Sequence, residues 1–216
     1  MYKAIISFFL LASISAHAQK NIYESAKFNE LSKAHKTLAI LPFLTNLNLK
    51  DNLSKEELKE LEEKEGYAVQ NALETYFSNR KKKKKFTVAF QNTKDTKAIL
   101  AKHNINYQNI DIYTTTELSK ILNVDGIISG NLDLTILLSK GIPSNFSLVD
   151  YFLGDANYGR IGMKISDGIT GKLLWKYEKR INKKSGKNTT DLINRMMKLA
   201  IRKFPYDKEK KREKRS

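Results

Sequence analysis

The sequence predicts an α/β (α+β) fold: a single mixed sheet flanked by helices, with an antiparallel hairpin late in the chain. Several segments repeat apolar residues at helical spacing, and short apolar or alternating runs typical of strands lie between them. The length of 216 residues suits one domain, and a hydrophobic content of 41% allows a sizeable core.

A short hydrophobic segment at the start of the chain has the pattern of a secretory signal. Lys3 supplies a positive charge, an apolar run extends from Ala4 to Ile14, and Ala16-His17-Ala18 is a small-x-small cleavage site. We predict that residues 1–18 are cleaved and that the mature protein is periplasmic or secreted. An uncleaved anchor is the alternative, although the run is short for a membrane span.

We place a single domain at residues 19–206. Its first elements are a short helix and a buried strand. Residues 23–35 are polar with two apolar residues three apart, which favours a helix. Residues 37–43 form a compact apolar run that Pro42 ends, as in a buried strand. Residues 45–51 are polar, and we expect a loop there.

A long helix follows, and its start is marked by a capping box of Ser54 and Glu57. Its apolar stripe continues to Phe77 and belongs to the core. Residues 86–90 alternate as a strand, and residues 95–103 predict a further short helix.

The second half begins with another capping box, Thr114 and Glu117, and ends that helix at Asn123, a residue that accepts the left-handed conformation. The remaining expected elements lie in order along the chain. They are a strand over residues 127–138, a strand over 158–165, a hairpin turn over 167–171, a strand over 173–177, a helix over 189–204 and a basic disordered tail over 207–216.

A run of six positive charges is the first candidate binding site. Like charges repel, so we expect a solvated loop there, which is either simply solvated or docks on an anionic surface of lipid or glycan. The formal net charge of +16 also favours acidic partners, or only keeps the protein soluble. Export and the lack of interleaved aromatic residues argue against nucleic acid. The run consists of Arg80, Lys81, Lys82, Lys83, Lys84 and Lys85.

An irregular apolar segment, residues 142–153, is the second candidate. It is too apolar for an ordinary loop, so it either packs over the sheet or presents a patch that binds a partner. The residues that we assign to this partner-binding loop are Phe146, Leu148, Tyr151 and Phe152.

Catalytic and metal-binding patterns are not apparent in the sequence. The chain has no cysteine, which excludes thiol chemistry and the lipobox of a lipoprotein. His17 leaves with the signal, and neither His35 nor His103 has a nearby carboxylate at ligand or triad spacing. We therefore predict no enzyme activity, no metal and no cofactor.

Three motifs, taken together, resemble a bacterial envelope superfamily. They are the first strand Ala39–Phe43, the segment from Leu122 to Gly130, which is similar to "lGadyvltG", and the hairpin from Asp167 to Trp175, which is similar to "D-x-x-T-G-x-x-x-W". The superfamily contains the curli secretion subunit CsgG, the peptidoglycan synthase activator LpoB and the amino-terminal domain of TolB. Asn123 departs from the usual glycine, and the lipobox cysteine of the CsgG and LpoB types is missing.

The resemblance implies a fold like an anticodon-binding domain that makes protein contacts in the envelope without enzyme activity. We therefore expect a non-enzymatic exported protein that binds an envelope protein as an assembly accessory. A peripheral binder of anionic lipid or glycan, acting through the basic run, is the alternative. The oligomeric state and the partner are left open by the sequence.

Overall fold

A computed structural model describes residues 21–49, 53–81, 86–141, 157–200 and 204–207. It confirms the predicted class, an open mixed sheet of seven strands flanked by helices. The strands are β1 (Ile22–Glu24), β2 (Thr37–Ile40), β3 (Leu44–Leu47), β4 (Ala89–Phe90), β5 (Gly126–Leu134), β6 (Gly159–Asp167) and β7 (Leu173–Ile181). The helices are α1 (Phe28–Leu31), α2 (Lys55–Lys81), α3 (Thr93–Lys102), α4 (Thr115–Leu122) and α5 (Thr189–Ala200).

The sheet has the strand order β1-β7-β6-β5-β2-β4, and β3 also pairs with β5. Strands β2 and β3 both run parallel to β5 and lie beside successive parts of it, so they are two parts of one interrupted strand. On the other side of β5 the pairing is antiparallel: β5 pairs with β6, β6 with β7 and β7 with β1, and β6 with β7 forms the predicted late hairpin.

The interruption between β2 and β3 is held by side chains and by helix α2. The Phe43 amide donates to the Gly66 carbonyl at 3.2 Å. The Tyr107 hydroxyl donates to the Phe43 carbonyl at 3.1 Å and accepts from the Thr45 amide at 2.8 Å. A Cβ at Gly66 would lie 2.2 Å from the Phe43 oxygen, so glycine permits this close approach of the helix.

The larger core lies between one side of the sheet and helices α2 and α5. Trp175, Phe77 and Phe204 are among its largest fully buried side chains, and the centroid of the Phe204 ring lies 5.4 to 5.6 Å from those of the other two. A smaller core lies on the other side of the sheet, where α3 and α4 cover β2 and the start of β5. The helices therefore cover the two sides of the sheet to different extents.

Both predicted capping boxes are confirmed. The Glu57 amide donates to the Ser54 hydroxyl, and the Ser54 amide donates to the Glu57 carboxylate. Thr114 and Glu117 make the same reciprocal pair, and Asn123 ends α4 in the left-handed conformation with φ of 53°.

Several predicted elements are wrong in extent. The helix expected over residues 23–35 is replaced by β1, which pairs with β7, and by the single turn α1. The loop expected over residues 45–51 contains most of β3, because this polar segment pairs with β5. The strand expected to reach residue 138 ends at Leu134 and is followed by a 3₁₀ turn.

Within the described residues, no helix has the length and apolarity needed to cross a membrane.

Candidate functional site

The basic run does not begin as a loop. Helix α2 continues through Lys81, so Arg80 and Lys81 are helical. Arg80 donates from Nη2 to Asp207 Oδ2 at 2.6 Å and lies over the Phe86 ring, 5.8 Å from its centroid. These contacts hold the helix end in place and neutralise the first charge of the run. Residues 82–85 lie outside the described residues, so the role of the run stays a prediction.

The start of the predicted tail also differs from the expectation. Asp207 is buried, pairs with Arg80 and forms an isolated bridge with Phe86. Its carboxylate therefore belongs to the folded body, which extends at least one residue beyond the predicted boundary. Residues 208–216 lie outside the described residues.

The predicted partner-binding residues Phe146, Leu148, Tyr151 and Phe152 also lie outside the described residues. The turn before this segment is fixed by a buried carboxylate. Glu65 on α2 is fully buried, and the Ser139 amide donates to it at 3.0 Å. The Ser139 hydroxyl donates to the same oxygen of Glu65. No local pattern in the sequence distinguishes this glutamate, which is buried, from the several others near the helix start.

A buried hydrogen-bonded chain joins three distant parts of the molecule, and we call it the clasp: His35, Asp167 and Tyr206. His35 Nε2 lies 2.8 Å from Asp167 Oδ1, and His35 Nδ1 lies 2.6 Å from the Tyr206 hydroxyl. Because a carboxylate only accepts, Nε2 carries the proton, and a neutral ring accepts the Tyr206 proton at Nδ1. The sequence shows no carboxylate near His35, because its partner Asp167 is 132 positions away and only folding brings the two side chains together.

The clasp holds its carboxylate charged. Burial acts to raise the pKa of Asp167, but hydrogen bonds from Thr170 and His35 outweigh it and hold the pKa below its ordinary value of 3.8. Burial, together with the charge of Asp167, raises the pKa of Tyr206 well above its usual range. Both ring nitrogens of His35 are occupied, so the clasp stabilises the fold and offers no free base to a substrate.

The side of β5, β6 and β7 that faces away from the larger core is exposed beyond Ser129. Helix α4 packs only near Ile127, and no helix of the described chain covers the outward side chains that follow. We call this surface the open face. It consists of Asn131, Asp133, Arg160, Gly162, Lys164, Lys176, Glu178 and Arg180.

The register arranges the open face in rows across the strands. Arg160 lies opposite Arg180, and Lys164 lies opposite Lys176. Gly162, between the two rows, has no side chain, and it forms the floor of a shallow hollow of about 240 Å³. Lys176 pairs with Glu178 at 2.7 Å on the surface.

The signal for the open face was present in the sequence. The alternation of β6 indicates Ile161, Met163 and Ile165 as one buried side, and the residues between them are charged or glycine. Recognising a shared charged surface required the register of β6 against β7, because only the register places the charges of the two strands opposite each other. No group of three or more potential metal ligands occurs within the described residues.

No protein-family model matches this chain, and no curated protein matches it in sequence. Solved structures do resemble it. A lipoprotein of Neisseria meningitidis has a TM-score of 0.47 at 10% identity and covers 78% of this chain and 96% of its own. The C-terminal domain of LpoB from Escherichia coli has a TM-score of 0.38 at 9% identity and covers 71% and 93%. The PelC dodecamer of Paraburkholderia phytofirmans has a TM-score of 0.32 at 9% identity and covers 76% and 86%.

LpoB, which the sequence motifs resemble, is thus among the structural neighbours, while the resemblance to CsgG and TolB stays a prediction. Identities and TM-scores this low carry no argument about partner, location or activity.

Proposed function

We propose that this chain is a non-enzymatic accessory protein of the bacterial envelope and that it binds a partner protein through the open face. The observation that carries the proposal is the contrast within one hairpin: one side of β6 and β7 lies mostly in the buried core, and the other side is mostly exposed and charged. A rigid sheet of this kind holds its outward side chains at fixed spacings, which favours recognition of a shaped partner.

The shape of the open face fits a macromolecule better than a small ligand. Its hollow is about 240 Å³ and lies on the outside of the sheet, whereas small-molecule sites are clefts of roughly 300–1,000 Å³ that enclose the ligand. The exposed rows extend over three strands, and a partner surface can contact all of them at once.

Export is part of the proposal. The signal pattern of residues 1–18 implies cleavage after Ala18, and β1 begins at Ile22, so the mature chain would begin three residues before its first strand. Without cysteine, the mature protein would be an unlipidated periplasmic or secreted protein.

The test is site-specific photo-crosslinking in the native host. A photoreactive residue at Asn131 on the open face should yield discrete adducts, whereas the same residue at Lys102, which is exposed on α3, should not. Cell fractionation in the same experiment should place the adducts and the cleaved protein in the envelope. Equal adducts at both positions, or none at either, would contradict the proposal.

A second candidate function is peripheral binding of anionic lipid or glycan through the basic run. The net charge of +16 and the position of Lys81 at the end of α2, directly before four more lysines, favour it. Sedimentation with phosphatidylglycerol vesicles should then fall steeply as salt rises, because exposed charges are screened within about 8 Å at physiological ionic strength. Binding that does not depend on the salt concentration, or an absence of binding, would contradict this second candidate function.

A further inference from the structure

We propose that the open face binds an acidic segment of the partner protein, whose carboxylates engage two cationic pairs, Arg160 with Arg180 and Lys164 with Lys176. This inference rests on the proposed function, in which the open face is the binding surface, and it adds the chemistry of the partner.

The two pairs are like charges placed directly opposite each other. Residues opposite in antiparallel strands have Cβ atoms about 4.5–5.5 Å apart, and like charges at that spacing destabilise the sheet. Arg160, Lys164 and Arg180 form no ion pair with any residue that the structure describes. Carboxylates bound between the members of each pair would turn this repulsion into attraction.

The spacing of the pairs suits an extended peptide. Arg160 and Lys164 are four residues apart on β6, which is about 13 Å along a strand. Between them, a Cβ at Gly162 would contact nothing closer than the Glu178 side chain at 3.8 Å, so a chain can lie close to the sheet there. Acidic residues four apart in an extended segment would reach both pairs.

The anionic groups on the same face favour a protein over a membrane or a sulfated glycan. Asp133 lies opposite Arg160, and Glu178 lies opposite Gly162, so both carboxylates lie among the cations. A uniformly anionic surface would meet these carboxylates as well as the cations. A protein can place donors opposite Asp133 and Glu178, and carboxylates only opposite the cations.

An exposed aromatic side chain at the border of the open face also suits a protein partner. Tyr23 on β1 lies opposite Lys176, on the same side of the sheet, and it is 49% exposed. Tyrosine is enriched in protein interfaces because its ring packs against apolar groups while its hydroxyl forms hydrogen bonds.

The experiment uses the full mature chain and a fluorescent peptide with glutamate at every fourth position, measured by fluorescence anisotropy. The test variant combines Lys164→Glu and Arg180→Glu, which changes one member of each pair. The control variant combines Lys59→Glu and Lys94→Glu, two exposed helical positions away from the open face, with the same change in net charge.

The test variant should bind the peptide at least about tenfold more weakly, as expected for the loss of one charge-assisted contact of 1.4 kcal/mol or more, and the control should stay within about twofold. A neutral variant, Lys164→Gln with Arg180→Gln, should show the same direction of change. Circular dichroism verifies that all variants are folded. Equal weakening in test and control variants would overturn the inference, because net charge alone would then explain binding.

Two further binding measurements test other classes of ligand. Phosphatidylglycerol vesicles and a heparin fragment, each measured with the same variants, should bind without a difference between test and control. If either one depends on Lys164 and Arg180 while the peptide does not bind, the inference is wrong. If photo-crosslinks at Asn131 persist but the peptide does not bind, the acidic chemistry fails and the proposed function stands.

Discussion

The two sides of the β6–β7 hairpin differ in almost every property, although they alternate residue by residue along the same strands. Ile161, Met163 and Ile165 are fully buried against the larger core. Arg160 and Lys164, which alternate with them along β6, are exposed on the open face. The strand period of two thus places one set of residues in the core and the neighbouring set on the surface, so substitutions in the two sets should differ in their effect on stability.

The largest expected effect separates two adjacent residues of β7. Trp175→Ala should lower the free energy of unfolding by about 3–5 kcal/mol, because a fully buried aromatic side chain leaves a cavity. Lys176→Ala should change it by no more than about 0.5 kcal/mol, because the side chain is exposed. Urea unfolding followed by circular dichroism measures both variants. Tryptophan fluorescence would not serve, because Trp175 is the only tryptophan and the first variant lacks it. A similar loss in the free energy of unfolding for both variants would contradict the assignment of a buried and an exposed side.

The clasp at the end of β6 provides a second test of the covered side. Asp167→Ala should cost about 1–3 kcal/mol at neutral pH, because it leaves the buried His35 Nε2 without its acceptor and also removes the acceptor of Thr170. Chemical unfolding at pH 7 measures the change. A loss no greater than that of Lys176→Ala would show that the clasp does not stabilise the fold.

The same carboxylate predicts how stability depends on pH. The pKa of Asp167 is below its ordinary value of 3.8, so its contribution is present above that value and is lost as the pH falls through the lowered pKa. On acidification from about pH 5 to about pH 2, the wild type should therefore lose stability more steeply than Asp167→Asn, because only the wild type has this titrating carboxyl. Parallel pH curves for the two proteins would contradict this assignment.

Two glycines on opposite sides of the sheet form a matched pair. A Cβ at Gly130 would lie 2.1 Å from the Gly162 carbonyl and 2.2 Å from the Phe43 ring, whereas a Cβ at Gly162 would have ordinary contacts only. Gly130→Ala should cost about 1–3 kcal/mol through overpacking. Gly162→Ala should be neutral or stabilising by up to about 0.5–1 kcal/mol, because alanine loses less backbone entropy. Thermal and urea unfolding should show this order, and the reverse order would be inconsistent with the open face.

The smallest expected effect is a gain. Arg180→Glu should stabilise the protein by about 0.2–1 kcal/mol at low salt, because it replaces a like-charge pair with Arg160 by an opposite-charge pair. The gain should shrink as salt screens the charges. A destabilising effect that salt does not alter would show that Arg180 has a structural role instead.

The amount of the fold that the sequence predicts depends on how local each signal is. The capping boxes at Ser54 and Thr114 and the turn at Asn123 use residues within four positions, and the structure confirms all three. The polar segment that forms β3 was missed, because it becomes a strand only by pairing with β5, more than eighty residues later. The alternation of β6 was visible, but the paired cations of the open face depend on its register with β7.

Local patterns in the sequence are sufficient for the periods of the helices and strands, the capped helix ends and the α/β class, because these depend on interactions between residues close in the chain. Long-range packing, by contrast, makes Ile22–Glu24 a strand, brings His35 to Asp167, and pairs Arg80 at the end of α2 with Asp207. Each of these contacts joins residues that are separated by more than a hundred positions. Such partners are selected by packing and charge in the assembled core, where many residues of the same type compete and local sequence does not distinguish them.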